Sequence, residues 1–254
     1  MKINVRYVIL TSLMLLLSLP MMSQSKPFFC TDNVSRFVEC DLHAVTGLSV
    51  FSQDYATHVP TLADIESSPG YAVGLGAMVQ FAFKDYFAIG TQLDFIAHNN
   101  KYSMVLLDGM GSGSQNSVFV SNRGYSASVP VFASVRFNVA DNVRWNVDLG
   151  CYFGLGLGGY QKADTYTTTI NDLNQIVTTY QHYKWDYYNE KQPLIHGFDD
   201  FDFGLLFRTG LLFYDHYKVD VEARINTKNA TTDEGVIHPN VRNHMFAMKL
   251  GYQF

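Results

Sequence analysis

The chain of 254 residues is short of charge, of cysteine and of long apolar runs, and each shortage excludes a class of protein. Charged residues make up 16% of it, against about 25% in a typical soluble domain. At 47% hydrophobic and 15% aromatic, it is nevertheless too apolar to be disordered. With 18 Lys and Arg against 23 Asp and Glu, it lacks the broad basic footprint that nucleic-acid binding requires. No run of about 20 apolar residues occurs, so no segment reads as a membrane-spanning helix. Three cysteines, Cys30, Cys40 and Cys151, allow one disulfide at most. A Cys30–Cys40 bridge and a set of free thiols both fit, since spacing alone does not settle pairing. On averages alone the chain resembles an ordinary soluble protein, and the order of its residues contradicts that.

The first ordered feature is an address. Lys2 and Arg6 precede the apolar stretch Val8 to Leu19, then come Pro20 and the small residue Ser23. Residues 1–23 read as a secretory signal peptide, cleaved after Ser23 or alternatively after Ser25. Cys30 does not directly follow either site, which argues against a lipoprotein anchor. Residues 24–40 read as a periplasmic N-terminal segment and 41–254 as the body of the protein.

Through that body the dominant period is two, which sends successive side chains to opposite faces of a strand. From Tyr71 to Phe83 the odd positions are large and apolar, while the even ones include Ala72, Gly74, Gly76 and Gln80. Similar rows run through 42–50, 87–97, 125–139, 143–157, 201–213, 217–225 and 244–254, giving eight predicted strands. None of the apolar rows holds Asp, Glu, Lys or Arg. The opposite rows hold Asp94, Arg136, Arg144, Asp148, Asp202, Arg208, Lys218, Asp220, Glu222, Arg224 and Lys249. A soluble barrel keeps its charge outside. Charge and glycine inside an unbroken greasy exterior predict an all-β fold, an eight-stranded antiparallel up-and-down transmembrane β-barrel, with outer-membrane lipid as its first partner.

The links agree with this. Three are only two or three residues, after Phe83, Val139 and Phe213, whereas long loops are expected near 53–70, 99–124, 158–200 and 227–241. Short periplasmic turns and long external loops are the outer-membrane pattern. Phe83, Phe87, Phe137, Trp145, Phe213, Tyr217 and Phe254 fall at one rim, and Tyr71, Phe95, Tyr125 and Phe201 at the other, as interfacial girdles would.

The last strand, His244 to Phe254, resembles the C-terminal signature of bacterial outer-membrane barrels, which implies that the barrel-assembly machinery reads the strand ending at Phe254. Val129 to Phe137 and Phe201-Asp202-Phe203-Gly204-Leu205 resemble strands of the PorT-type outer-membrane β-barrel domain family. The likeness departs at Ala223-Arg224, where that family tends to carry Gly-Leu. It implies fold and location, with a secretion role in some members, and puts no catalytic residue on this chain.

Site signals are weak. Gly154 to Gly159 matches G-x-G-x-x-G, but the Thr-rich segment after it is no helix, so the motif has no helix N-terminus to hold a pyrophosphate. Asp94 and His98 near one mouth, with His196, Asp199 and Asp200, could serve a rim-active hydrolase, though no spacing specifies a nucleophile. No EF-hand or His-Glu-x-x-His spacing marks a metal. No catalytic, cofactor or metal residue is assigned, and an eight-stranded barrel leaves just enough room for side chains to fill its interior. Tyr180, Tyr183, Trp185, Tyr187 and Tyr188 are the candidate binding residues of the external loops, suited to a protein or glycan partner. The alternative for them is a hairpin whose aromatics pack on one another as strands continue above the membrane. The expected function is structural, adhesive or secretion-associated. Its rivals are a rim-active lipid or peptide hydrolase and an exported soluble ligand-binding barrel.

Overall fold

The computed structural model describes residues 27–34, 36–54, 62–107, 114–188, 198–231 and 240–254. The signal-peptide reading and His196 lie outside these residues. Among them are ten strands: β1 (Val38–Gln53), β2 (Leu62–Ser68), β3 (Gly70–Lys84), β4 (Phe87–Leu107), β5 (Gln115–Ala140), β6 (Val143–Ile170), β7 (Ile176–Asp186), β8 (Phe201–Phe213), β9 (Tyr217–Asn226) and β10 (Val241–Gln253). Every ladder is antiparallel.

Eight of the strands form a ring in the order β4-β3-β1-β10-β9-β8-β6-β5, and β5 pairs back to β4. Ring neighbours are joined at one end by the short turns at Asp85-Tyr86, Asp141-Asn142 and Tyr214-Asp215-His216. Tyr214 and Asp215 sit at φ 52° and 60°, the left-handed conformation that closes so tight a hairpin. The alternation settles which way each strand faces. Leu75 is 68% exposed and Leu149 60%, while Asp94, Asp148 and Glu222 are fully buried.

The other two strands correct the expected count and much of the expected loop. β4 and β5 remain paired up to Leu107↔Gln115, and β5 and β6 up to Gln115↔Thr168. β2 adds to the far end of β4, and β7 folds back on the far end of β6. Most of the segment expected as a loop over 99–124 is therefore sheet, as are 158–170 and 176–186 of the segment expected over 158–200. The reason lies in the residues: Thr, Tyr and Val are frequent in these segments, and such residues favour extended backbone wherever a paired neighbour exists. β5 has 26 residues and β6 has 28, well over twice the roughly 9–11 that a strand needs to cross a bilayer. The surplus builds a five-stranded sheet, β2-β4-β5-β6-β7, beyond the long-link rim.

At the opposite end the segment from Pro27 lies across the short turns. Phe28 stacks on Phe137 with ring centroids 5.1 Å apart, and Phe37 meets Phe81 and Phe83. Phe28 and Asp32 carbonyls accept from the Asn138 and Asp85 amides. Cys30, Cys40 and Cys151 are free thiols.

Candidate functional site

Three regions lie above one another inside the ring. The lowest and longest is ionic. Arg136 donates both Nη atoms to Glu39, at 3.0 and 2.7 Å, and reaches Gln80 as well. Above it, Arg208 donates Nε to Asp148 at 2.6 Å and lies 4.2 Å over the Phe132 ring. Arg224 binds Asp94, Glu222 and Ser128 together. Lys249 bridges Glu222 at 2.7 Å and Asp94 at 3.2 Å.

The inward row predicted from sequence is confirmed for these charges, but it missed Glu39, Asp41 and His43, because β1 begins four residues earlier than expected. His43 sets Nδ1 2.8 Å from Asp41 and Nε2 2.7 Å from Asp94. Only the doubly protonated ring donates at both nitrogens. Six buried carboxylates, Glu39, Asp41, Asp94, Asp148, Asp220 and Glu222, thus face the buried basic side chains of Arg136, Arg208, Lys218, Arg224 and Lys249 together with His43. Such a balance lets ions be enclosed at all, since an isolated buried charge is prohibitively costly. Gly76 makes room for it: a Cβ there would run into Asp94 and lie 2.6 Å from His43 Nε2.

The highest region is apolar. Tyr102, Met104 and Leu106 of β4, Val118 and Val120 of β5 and Ala163 of β6 face Phe51, Tyr187, Phe198 and Val241. Phe51 stacks on Tyr102 at 5.1 Å, and Tyr187 on Phe198 at 4.6 Å. The G-x-G-x-x-G segment is where β6 enters this region. The ladder runs Ser126↔Gly156 and then Tyr125↔Gly158, so Leu157 is an extra residue, a β-bulge. Inward positions on β6 are even up to Gly156 and odd from Gln161 and Ala163 onward. The bulge thereby puts Lys162 and Asp164 outside. Gly158 and Gly159, at φ 151° and 154°, hold a conformation that side chains resist. In this fold the motif is a sheet device, a bulge within a strand that continues to Ile170 rather than a turn into a helix.

Between the two lies a cavity of about 90 Å³. Its floor includes Arg224 and Ser128, and its roof Tyr187 and Phe198. Lys228 Nζ lies 2.5 Å from Asp199, so although burial alone would raise that carboxyl, the ammonium holds it below the usual carboxylate range. Burial, reinforced by the charges of Asp202 and Asp200, pushes the Tyr188 hydroxyl up, and it stays protonated.

The candidate binding residues divide. Tyr180, Tyr183 and Trp185 lie on β7, where Tyr183 and Trp185 stack at 5.4 Å and Tyr180 is 54% exposed. Tyr187 instead belongs to the buried apolar core, and Tyr188 packs over Gly156 into the cavity wall. Both were expected in an exposed surface; the chain leaves β7 after Asp186 and turns inward, which covers them. The aromatics of β7 do lie on a hairpin, but it is formed by β6 with β7 and not, as expected, by β6 and β8 continuing above the membrane. Asp94 lies within the ionic region, while His98 meets Tyr187 edge-on at 5.8 Å, so the two occupy different regions. Among the described residues no group of three or more His, Cys, Asp or Glu is placed to hold a metal.

A ring of antiparallel strands, greasy outside and ionic inside, defines an outer-membrane β-barrel. The chain belongs to the outer membrane protein beta-barrel domain family, whose model matches residues 49–227, and its location is the outer membrane. No curated protein matches it in sequence. Among solved structures it is similar to Ail, the attachment invasion locus protein of Yersinia pestis, in complex with the heparin analogue sucrose octasulfate. The identity is 12%, with 86% of this chain and 100% of that one covered, at a TM-score of 0.37. It is also similar to OprG from Pseudomonas aeruginosa, at 12% identity over 90% and 99% of the two chains, TM-score 0.37. A third is the Neisserial surface protein A, at 13% identity over 86% and 98%, TM-score 0.30.

Proposed function

We propose that the protein is an eight-stranded up-and-down barrel that spans the outer membrane with a sealed lumen, and that it works as a non-enzymatic recognition protein at the cell surface. The observation that carries this reading is the enclosed ionic network roofed by the apolar core, which fills the path a solute would take. The short turns face the periplasm and the extended sheet faces out. Recognition then falls to the β6–β7 hairpin, where the exposed Tyr180 and Tyr183, with Trp185 half-buried behind them against the apolar core, offer rigid aromatic area to a protein or glycan.

An adhesive, structural or secretion-associated role fits this surface equally, and PorT-type kinship is the finer reading of the strand pattern. Export through a cleaved signal peptide and delivery through the barrel-assembly machinery, by the strand ending at Phe254, belong to the same proposal. Two measurements test it. In planar bilayers the purified protein should give no stepwise conductance above leak, and stepwise conductance would refute the sealed lumen. On intact cells, Tyr180→Ser with Tyr183→Ser should abolish crosslinking of the hairpin to its partner while leaving barrel assembly intact. The hydrolase rival predicts an activity that His98→Ala removes; we expect none in the wild type.

A further inference from the structure

The chain ahead of β1 carries three phenylalanines, Phe28, Phe29 and Phe37, and all of them pack on the outside of the ring. Phe28 stacks on Phe137, which faces outward between the buried Arg136 and Asn138. Phe37 meets Phe81 and Phe83, which face outward on either side of the buried Ala82. The segment therefore lies along the lipid-facing surface at the short-turn rim, outside the lumen.

Its rings join two groups that are otherwise separate. Phe137 and Trp145, 5.2 Å apart, form one group, and Tyr86, Phe87 and Phe83 form the other. Phe29 bridges them, with its ring 6.3 Å from Phe137 and 4.6 Å from Tyr86. Phe37 then carries the band from Phe83, at 5.7 Å, to Phe81, at 5.9 Å. One band of touching rings thus follows the outside of β6, β5, β4 and β3.

Each added ring is covered on one side only. Phe28, Phe29 and Phe37 remain 50%, 47% and 54% exposed, and Phe83 beside them 49%. A contiguous apolar patch of this kind marks contact with a protein or a membrane. Continuity decides between the two, because the rings extend the girdle of the lipid-facing rim, and aromatic side chains gather where hydrocarbon meets headgroups. The backbone suits the same level. Hydrocarbon offers no hydrogen bonds, and the Pro27 carbonyl accepts from Asn138 Nδ2, while those of Phe28, Asp32 and Phe37 accept from the amides of Asn138, Asp85 and Ala82. Thr31, Asp32 and Asn33 are exposed between the phenylalanines, as a headgroup layer allows.

We propose that this segment is an interfacial membrane anchor. Phe28, Phe29 and Phe37 sit at the boundary of acyl chains and headgroups in the leaflet at the short-turn rim, and the segment does not stand free in the periplasm. That the leaflet is the periplasmic one rests on the orientation proposed above; the anchoring does not.

The test is fluorescence quenching of protein extracted from outer membranes, as cells export it, and reconstituted in phosphatidylcholine vesicles. The chain has two tryptophans, so Trp145→Phe with Trp185→Phe gives a silent background for Phe29→Trp and, separately, for Phe37→Trp. Trp145 itself, in Trp185→Phe, is the reference for the barrel's girdle. Each introduced tryptophan should lose as large a share of its emission as Trp145 does to lipid brominated near the headgroup. Lipid brominated at the chain ends should quench less, and aqueous iodide least. The two positions are read independently, so one that does not fold leaves the other to decide. If a folded variant escapes bromine and yields to iodide while Trp145 is quenched by lipid, the phenylalanines stand in water as a face for a periplasmic protein, and the proposal falls. Stronger quenching from the chain ends overturns it too, by placing the segment in the bilayer interior. If Trp145 also escapes bromine, the membrane reading of the whole barrel falls with it.

Discussion

Along β4 a single inward row changes its chemistry without changing its geometry. Gln92 and Asp94 face inward and are buried, and eight residues farther on Tyr102, Met104 and Leu106 face inward on the same even positions. Outside the first pair stand Leu93 and Phe95, exposed; outside the second set stand Lys101, Ser103 and Val105. Along this strand the lower half is thus polar within and apolar without, and the upper half turns its large apolar residues inward. The difference comes from the solvent at each height. Lipid accepts only apolar side chains, which leaves the charges a lumen in which to pair. Water accepts the charges, and then apolar residues are what the interior collects. A strand crossing the boundary keeps its period of two and inverts the hydropathy phase.

The ionic half should give the largest effect when broken. Asp94 holds Arg224, Lys249 and His43 at once. Asp94→Ala takes one carboxylate from all three at once, leaving Glu222 alone to hold Arg224 and Lys249 and Asp41 to hold His43, and should destabilise the folded barrel by about 3 to 5 kcal/mol. Denaturant titration of the protein in lipid vesicles reads this directly, and a loss under about 1 kcal/mol would mean that water reaches the network.

The next test sets the outer faces of the two halves against each other. Leu75→Arg puts a charge in the lipid-facing band and should cost about 2 to 4 kcal/mol. Ser103→Arg, outward but in the upper half, should stay within about 0.5 kcal/mol, as exposed substitutions do. Similar losses for the two would erase the boundary between Phe95 and Lys101.

Sequence periodicity made the lower half legible almost residue by residue, since charge absent from one face and present on the other leaves two independent marks. The upper half carried the same alternation, visible in Tyr102, Met104, Leu106, Val118 and Val120. By a membrane criterion it reads as loop, because the outward face there is polar. Glu39, Asp41 and His43 are hidden for a related reason: the apolar row begins only at Leu42, four residues after β1 does. The cavity could not have been read at all. Asp202, Tyr188 and Gly156 come from three elements, and only the bulge at Leu157 and the inward turn after Asp186 bring them together.

That bulge gives a smaller test. At Gly158 a Cβ would meet nothing within 4 Å, so Gly158→Ala isolates the cost of its φ of 151°. It should lose about 1 kcal/mol, confined to the upper half. Hydrogen exchange would then quicken in 160–170 and leave β6 below Gly156 protected. Exchange quickening equally along the whole strand would mean that the two halves unfold as one and that the bulge does not separate them.

The smallest effect is expected at the hairpin, where the upper half is most exposed. Asp164 accepts from Tyr180 at 2.7 Å and lies 2.7 Å from His182 Nδ1. The His182 contact first, and then the Tyr180 hydroxyl, hold its carboxyl below the usual carboxylate range. A carboxylate depressed in the folded state stabilises it above the unfolded value of about 3.9 and loses that contribution as pH falls through the folded value. The hairpin should therefore stay intact across neutral and mildly acidic pH and loosen only below about pH 4. Trp185 fluorescence, read in a Trp145→Phe background, reports on it, and Asp164→Asn should remove the acid step. A transition well above pH 4 that persists in Asp164→Asn would overturn this assignment. In neither case should the ionic half respond, because its carboxylates are out of reach of water, and an acid-induced change in the barrel's own circular dichroism over the same range would show the two halves to be coupled.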